Sequence, residues 1–253
     1  MNTKAVILAA GKGTRLQSEK YQMPKVLREA NGQPLLHYVL EALDFLPVEN
    51  TVIVAGYMKE KVIERFPEYP YAIQAEQKGT GHAVQCARES LQGFDGTVLV
   101  CCGDMPLIKK ETYEALLRTH EQSGNPCTFL TGTSVQDLPY GRILRDENGD
   151  FLRVVEDKDC TPEQKNIREL NAGVYAFDCR ELLACLDLLK NDNAQGEYYL
   201  TDVPELMRTR GGKIGVCCVE LNEQIIGVNT VEQLMEVEEY IRQRVFDAKG
   251  FEA

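Results

Sequence analysis

What this 253-residue chain lacks narrows its function first. Its nine cysteines include no Cys-x-x-Cys pair, so a structural zinc site is not expected. No charged n-region with an apolar core opens the chain, so no signal peptide is expected. No apolar run approaches the roughly 18 residues that a membrane-spanning helix needs. Repeats, low-complexity tracts and linkers are absent too, and no His–carboxylate constellation suggests general-base catalysis. Cations are in the minority: 28 Lys and Arg face 39 Asp and Glu, a net charge of −11. Such a chain lacks the broad basic surface that a nucleic-acid polymer requires. The expectation is a soluble cytoplasmic protein with reduced cysteines acting as small apolar residues, no membrane and no nucleic-acid partner.

The scarce positive charge is concentrated. Residues 1–28 carry Lys4, Lys12, Arg15, Lys20, Lys25 and Arg28 against Glu19, a local +5 that leaves −16 for the remainder. Within this stretch the apolar run Ala5-Val6-Ile7-Leu8-Ala9 reads as a buried strand and leads into Gly11 and Gly13. A glycine turn after a strand lets main-chain N–H groups approach phosphate oxygens. Leu16 occupies the third-glycine place of a dinucleotide fingerprint, and Gly13 the Ser/Thr place of a Walker loop, so neither motif applies. Together, glycines and charge favour a polyphosphate site over a solvated basic face.

Further along, strands and helices alternate. Gln33–Leu46 is expected as a helix, Thr51–Ala55 as a strand, Lys59–Phe66 as a helix and Tyr71–Gln74 as a strand. A helix should run from about Thr80 to Leu91, followed by strands over Thr97–Cys102 and Pro126–Thr133. This predicts a sheet with helices on both faces and ligand sites beyond the carboxyl ends of its strands. Two strand-end loops have competing readings. Gln74 to Ala83 either reads a pyrimidine edge, through the Gln74 amide and the close approach of Gly79 and Gly81, or is a helix N-terminus capped by Thr80. Asp104, after the third of these strands, is either a Mg²⁺ ligand or a turn aspartate, and its distance from the helix near Lys110 favours the metal.

The second half reads as a β-rich lobe. Asn148-Gly149 between alternating segments predicts a hairpin, and Leu170–Phe177 a strand with Asn171 near its start. Gly141, Glu156 and Asn171 are candidates to meet over a polyhydroxy ligand, although single polar residues on strands are commonly just exposed. A helix over Pro204–Arg210, a strand over Lys213–Val219, an apolar segment Ile225–Asn229 and a helix over Val231–Ala248 complete the chain.

Several blocks then occur in a characteristic order. Leu8-Ala9-Ala10-Gly11-Lys12-Gly13-Thr14-Arg15 with Pro24-Lys25 resembles the signature of sugar-1-phosphate nucleotidyltransferases. Gln74-Ala75-Glu76-Gln77, Gly79-Thr80-Gly81-His82-Ala83, Gly103-Asp104, Tyr140-Gly141-Arg142-Ile143, Asn171-Ala172-Gly173, Gly196-Glu197-Tyr198-Tyr199 and Gly227-Val228-Asn229 narrow the likeness. Over about residues 4–240 the chain resembles the uridylyltransferase domain of the bifunctional N-acetylglucosamine-1-phosphate uridylyltransferase/glucosamine-1-phosphate acetyltransferases.

The resemblance implies a Rossmann-like, mostly parallel α/β sheet flanked by helices over 1–229. A smaller sugar-binding lobe would begin near 134, and a C-terminal helical arm would occupy 230–253. The implied reaction joins UTP and a sugar-1-phosphate, first of all N-acetylglucosamine-1-phosphate, into the cell-wall precursor UDP-sugar with release of pyrophosphate. The implied nucleotide contacts are the backbone of Leu8, Ala9, Ala10, Gly11, Lys12 and Gly13, the base-reading Gln74, Gly79 and Thr80, and Cys102 with Gly103. Arg15, Lys25 and Asp104 are the implied catalytic groups, Asp104 and Asn229 the implied Mg²⁺ ligands, and Gly141, Glu156 and Asn171 the implied sugar and ribose contacts. Three features depart from the pattern: a longer spacer between Arg15 and Pro24, Cys102 where Tyr is common, and no hexapeptide repeats of an acetyltransferase β-helix. A different sugar-1-phosphate (glucose or the galactosamine epimer), a different base, or a non-catalytic sugar-nucleotide sensor are the alternatives.

Overall fold

Continuous apolar runs form the centre of the structure because a strand buried on both faces has no polar side to show. In the computed structural model, which describes residues 2–133, 138–218 and 222–250, strand β1 (Thr3–Ala9) lies between two parallel neighbours. These are β4 (Thr51–Ala55), paired Ala5↔Thr51, and β6 (Thr97–Cys102), paired Thr3↔Thr97. Two short strands, β2 (Glu29–Ala30) and β3 (Gln33–Pro34), form a separate two-stranded sheet.

The main sheet adds β5 (Tyr71–Ile73), β7 (Cys127–Thr133), β8 (Arg142–Arg145), β9 (Phe151–Val155), β10 (Glu169–Asp178) and β11 (Ile214–Cys218). Its path is β11-β7-β10-β6-β1-β4-β5, and the β8–β9 hairpin joins through β10 at Leu170↔Arg142. Only β10 on this path runs against its neighbours, β6 and β7. Its amino end therefore lies on the same edge as the carboxyl ends of β1 and β6. The expected mixed, mostly parallel α/β sheet is what the chain forms. The expected 134 boundary and the Val219 end of β11 lie outside the described residues.

Helices cover both faces: α1 (Ser18–Tyr21), α2 (Leu35–Ala42), α3 (Lys59–Arg65), α4 (Thr80–Cys86), α5 (Arg88–Leu91), α6 (Lys110–Ser123), α7 (Cys179–Leu186), α8 (Asp202–Thr209) and α9 (Val231–Gly250). Alternation along the strands feeds two cores. Ala5, Ile7, Leu99 and Cys101 pack with Leu36, Val39 and Leu116; Val6, Val98 and Val100 pack with Val84, Leu91, Leu182 and Met207. A third cluster joins α9 to the glycine loop: Leu234, Val237 and Ile241 bury with Leu16, Ala30, Leu35 and Val228. Among the described residues no helix is long and apolar enough to cross a membrane.

Three local departures stand out. The helix expected from Gln33 starts at Leu35, because Asn31 and Gly32 (φ 50° and 78°) close a tight turn that pairs Glu29 with Pro34. The helix expected through Leu91 breaks at Ala87 into α4 and α5. Helix α7 lies outside the elements expected from the sequence, and Asp178, which accepts from the Glu181 N–H at 3.0 Å, caps its start.

Candidate active site

The carboxyl edge of β1 and β6 collects the charged candidates. Beyond β1 the chain turns through Gly13, whose left-handed backbone (φ 66°) brings it against Lys25. A Cβ there would fall 2.6 Å from Lys25 Cβ and 2.8 Å from Ser18 Oγ, so only glycine fits. The longer spacer after Arg15 folds into α1 and still delivers Lys25 to the site. Lys25 Nζ forms an ion pair with Asp104 Oδ2 and donates to Asn229 Oδ1 at 2.8 Å; Arg15 Nη2 reaches the same Oδ1 at 3.2 Å.

Asn229, 204 residues from Lys25, is held by several bonds. The Val228 N–H donates to the Asp104 carbonyl at 2.9 Å, and Asn229 Nδ2 donates to the Gly227 carbonyl at 3.1 Å, which turns Oδ1 towards the cations. The half-buried Tyr140 donates through its hydroxyl to the Ile225 carbonyl at 2.8 Å and accepts from the Gly227 N–H at 2.9 Å. Burial, chiefly, pushes that phenol up to about 12, so it stays neutral. Tyr140 thus fastens the segment that carries Asn229. Its place in the sequence motif marked it, but only this contact explains it.

Beside the charged cluster lies a cavity of about 240 Å³. Its walls contain Leu8, Ala9, Ala10, Gly11, Gln74, Gly79, Thr80 and Cys102 from the expected nucleotide set, together with Lys25 and Asp104. Lys12, Gly13 and Gly103 are not on the wall. Gly103 instead has a packing role: its N–H donates to the Leu8 carbonyl at 2.9 Å, and a Cβ would lie 3.2 Å from Leu36 Cδ1. Val26, Gln77, Ala83 and Glu197 also line the cavity; Gln77, Ala83 and Glu197 stand in the sequence motifs, but the resemblance assigns none of the four a role. The Cys102 thiol, pushed up first by burial and then by Asp104, is protonated and unreactive.

The loop expected to read the base differs from expectation in three respects. Gln74 does not offer both halves of its amide: Nε2 donates to the Gly79 carbonyl at 3.1 Å and is 3.0 Å from His82 Nδ1. Gly79 and Gly81 are small because the 197–199 segment crosses them. A Cβ on Gly79 would sit 2.5 Å from the Tyr198 carbonyl oxygen, and one on Gly81 would be 2.5 Å from Leu189 Cδ1. Thr80 does not cap α4; its Oγ1 accepts from the Leu200 N–H at 3.0 Å, while the Gly81 N–H donates to the Tyr198 carbonyl at 2.8 Å.

Gly141, Glu156 and Asn171 come together at the same edge but do not line the cavity. The Asn171 N–H donates to the Gly141 carbonyl at 2.8 Å, and Glu156 follows Val155, which pairs with Arg142. Their side chains are partly engaged. Asn171 Nδ2 donates to the Tyr175 hydroxyl at 2.6 Å, its Oδ1 accepts from the Gly173 N–H at 3.1 Å, and Glu156 accepts from Thr201 Oγ1 at 2.9 Å. Burial raises the Glu156 carboxyl above its ordinary range, with Asp159, Asp157 and Glu197 adding to it. A Cβ on Gly141 would lie 2.7 Å from Val154 Cγ1, so packing alone requires the glycine.

Several known proteins share this plan. The chain is 46% identical over 247 residues to the Bifunctional protein GlmU of Clostridium novyi, covering 97% of this chain and 53% of that protein. It is 43% identical over 246 residues to the Bifunctional protein GlmU of Clostridioides difficile, with the same coverage. The chain therefore spans about half the length of the curated relatives it matches. A putative glucose-1-phosphate thymidylyltransferase from Bacillus anthracis, solved with sucrose, shares the fold at a TM-score of 0.76, with 17% identity and 95% of each chain covered. With residues 5–175 matching the MobA-like NTP transferase domain, and with the glycine loop and its cations set at the carboxyl edge of the sheet, the chain belongs to that nucleotidyltransferase family.

Proposed function

We propose that this protein transfers a uridylyl group from UTP to a sugar-1-phosphate, with N-acetylglucosamine-1-phosphate as the preferred acceptor, releasing pyrophosphate. The observation that carries the reading is the meeting of Lys25, Asp104 and Asn229, from three distant segments, with Lys25 and Asp104 lining a cavity that Gly11, Gln74 and Gly79 also wall. The similarity to the two GlmU proteins over nearly the whole chain supports the uridylyl and amino-sugar assignments.

The acceptor phosphate is already ionised at neutral pH, so its attack on the α-phosphorus needs no general base. The obstacle is repulsion between two anions and charge building on the departing pyrophosphate, which positioning and electrostatics overcome. Lys25 and Arg15 supply positive charge to the phosphates. Glycine at position 11, with open space where a Cβ would stand, leaves the backbone accessible to the nucleotide.

The donor set also fits Mg²⁺. One carboxylate, Asp104, and one carboxamide oxygen, Asn229 Oδ1, already converge on a cation, the Lys25 ammonium. Among the described residues no group of three or more His, Cys, Asp or Glu could hold a metal by itself. That suits Mg²⁺, which takes one or two protein oxygens and completes its shell with substrate phosphates and water. When bound it would supply Lewis-acid charge to the phosphates.

The test is pyrophosphate release from UTP, CTP, ATP and GTP against a panel of sugar-1-phosphates with Mg²⁺. The highest kcat/KM is expected for UTP with N-acetylglucosamine-1-phosphate. Preference for another nucleotide, or no turnover with any pair, refutes the proposal.

A further inference from the structure

The donor half of the Gln74 amide is consumed before any base arrives. The Gly79 carbonyl can only accept, so the atom facing it at 3.1 Å must be Nε2; rotating the amide would set Oε1 against another lone pair. With Nε2 placed there, His82 Nδ1 at 3.0 Å must accept as well, and the neutral ring carries its proton on Nε2. Gln74 is itself buried in the cavity wall, and its Oε1 has no partner among the described residues. The Gln74 side chain therefore offers the base an acceptor and withholds its donor.

We infer that His82 is a specificity-determining positioning residue, whose unprotonated Nδ1 locks the Gln74 amide so that Oε1 selects a pyrimidine bearing a ring N3–H and rejects one with an N3 lone pair. This rests on the uridylyltransferase reading and deepens it. Uracil has the N–H; cytosine presents a lone pair that would face the lone pairs of Oε1. A freely rotating glutamine would offer its N–H to cytosine instead and lose the distinction. Locking needs both acceptors, because either one alone leaves one Nε2 hydrogen without a partner in a buried wall. The environment keeps His82 in the required state: burial, and next the Lys78 ammonium, lower its pKa, against the opposing pull of Glu76. His82 acts through Gln74; among the described residues it does not line the cavity.

The test compares wild type, His82→Leu and His82→Asn by kcat/KM for UTP and CTP at saturating sugar-1-phosphate. Asn returns an acceptor oxygen close to where Nδ1 stood, and Leu returns none. The ratio of UTP to CTP should fall about tenfold in His82→Leu, through the two KM values with kcat for UTP retained, and recover in His82→Asn. A wild-type preference for UTP that His82→Leu leaves unchanged overturns the inference and spares the uridylyltransferase reading. A wild type that does not prefer UTP overturns that reading itself. A measurement on the intact enzyme guards against a misfolded variant: NMR of the imidazole nitrogens should show the Nε2–H tautomer of His82 at neutral pH. An Nδ1–H tautomer or an imidazolium there refutes the lock.

Discussion

Gly13→Ala separates the structural from the ligand-facing glycine of the loop after β1. Gly13 has φ 66°, and an L-residue there costs about 1–2 kcal/mol. The added methyl would stand 2.6 Å from Lys25 Cβ, an atom fixed to the backbone that cannot swing aside as a side-chain tip can. Relief requires the loop and the Lys25 backbone to part, at an overpacking cost of about 1–3 kcal/mol. The expected loss of stability is about 2–5 kcal/mol, read from urea unfolding midpoints at constant m. Because relief displaces Lys25, kcat should also fall about 10²-fold, a penalty that an ångström of misplacement can carry. Gly11→Ala is the control. Nothing lies within 4 Å of its Cβ position, so stability should hold while KM for the nucleotide rises. A Gly13→Ala enzyme with near-normal kcat, or a Gly11→Ala enzyme that unfolds more easily than Gly13→Ala, would refute this reasoning.

Other perturbations probe the remaining parts. Asp104→Asn should lower kcat by about 10²–10³ while the far-ultraviolet circular dichroism is unchanged, and near-normal turnover in Mg²⁺ would remove Asp104 from its role. Tyr140→Phe strips the Ile225 carbonyl and the Gly227 N–H of their shared partner. It should cost about 1–3 kcal/mol of stability and weaken Mn²⁺ binding measured calorimetrically, and unaltered metal affinity would show that Asn229 needs no such fastening. Asp202, pushed up to about 6 by burial first and then by Glu205 and Glu156, binds more protons in the folded than in the unfolded chain. The contribution of Asp202 to stability should therefore rise as pH falls from about 7 towards 4. Asp202→Asn should be about 1 kcal/mol more stable than wild type at pH 7.5, a figure reduced for partial solvation, with the gap closing near pH 4. A constant gap across that range would contradict the assignment.

Local physics made much of the architecture legible. The apolar runs of β1, β4 and β6 have no polar face, so they had to be central strands, and the ends of β1 and β6 had to carry the glycine loop and Asp104 to one edge. The cationic excess of the first 28 residues likewise marked an anion site without reference to the fold. Even the missed α7 was written locally, in Asp178 and Glu181. What no local pattern contains is the meeting of distant groups. Gly79, Gly81 and Gly141 show no packing role in the sequence, yet Tyr198, Leu189 and Val154 fill the space where a Cβ would stand. Gln74 shows a donor and an acceptor in sequence, whereas its donor is spent on Gly79 and His82. Asn229 becomes part of the charged site only because Tyr140, Gly227 and the Asp104 carbonyl hold its segment there. Residue type states which hydrogen bonds a group is able to make; only the tertiary structure, by supplying partners from far along the chain, decides which remain for a substrate.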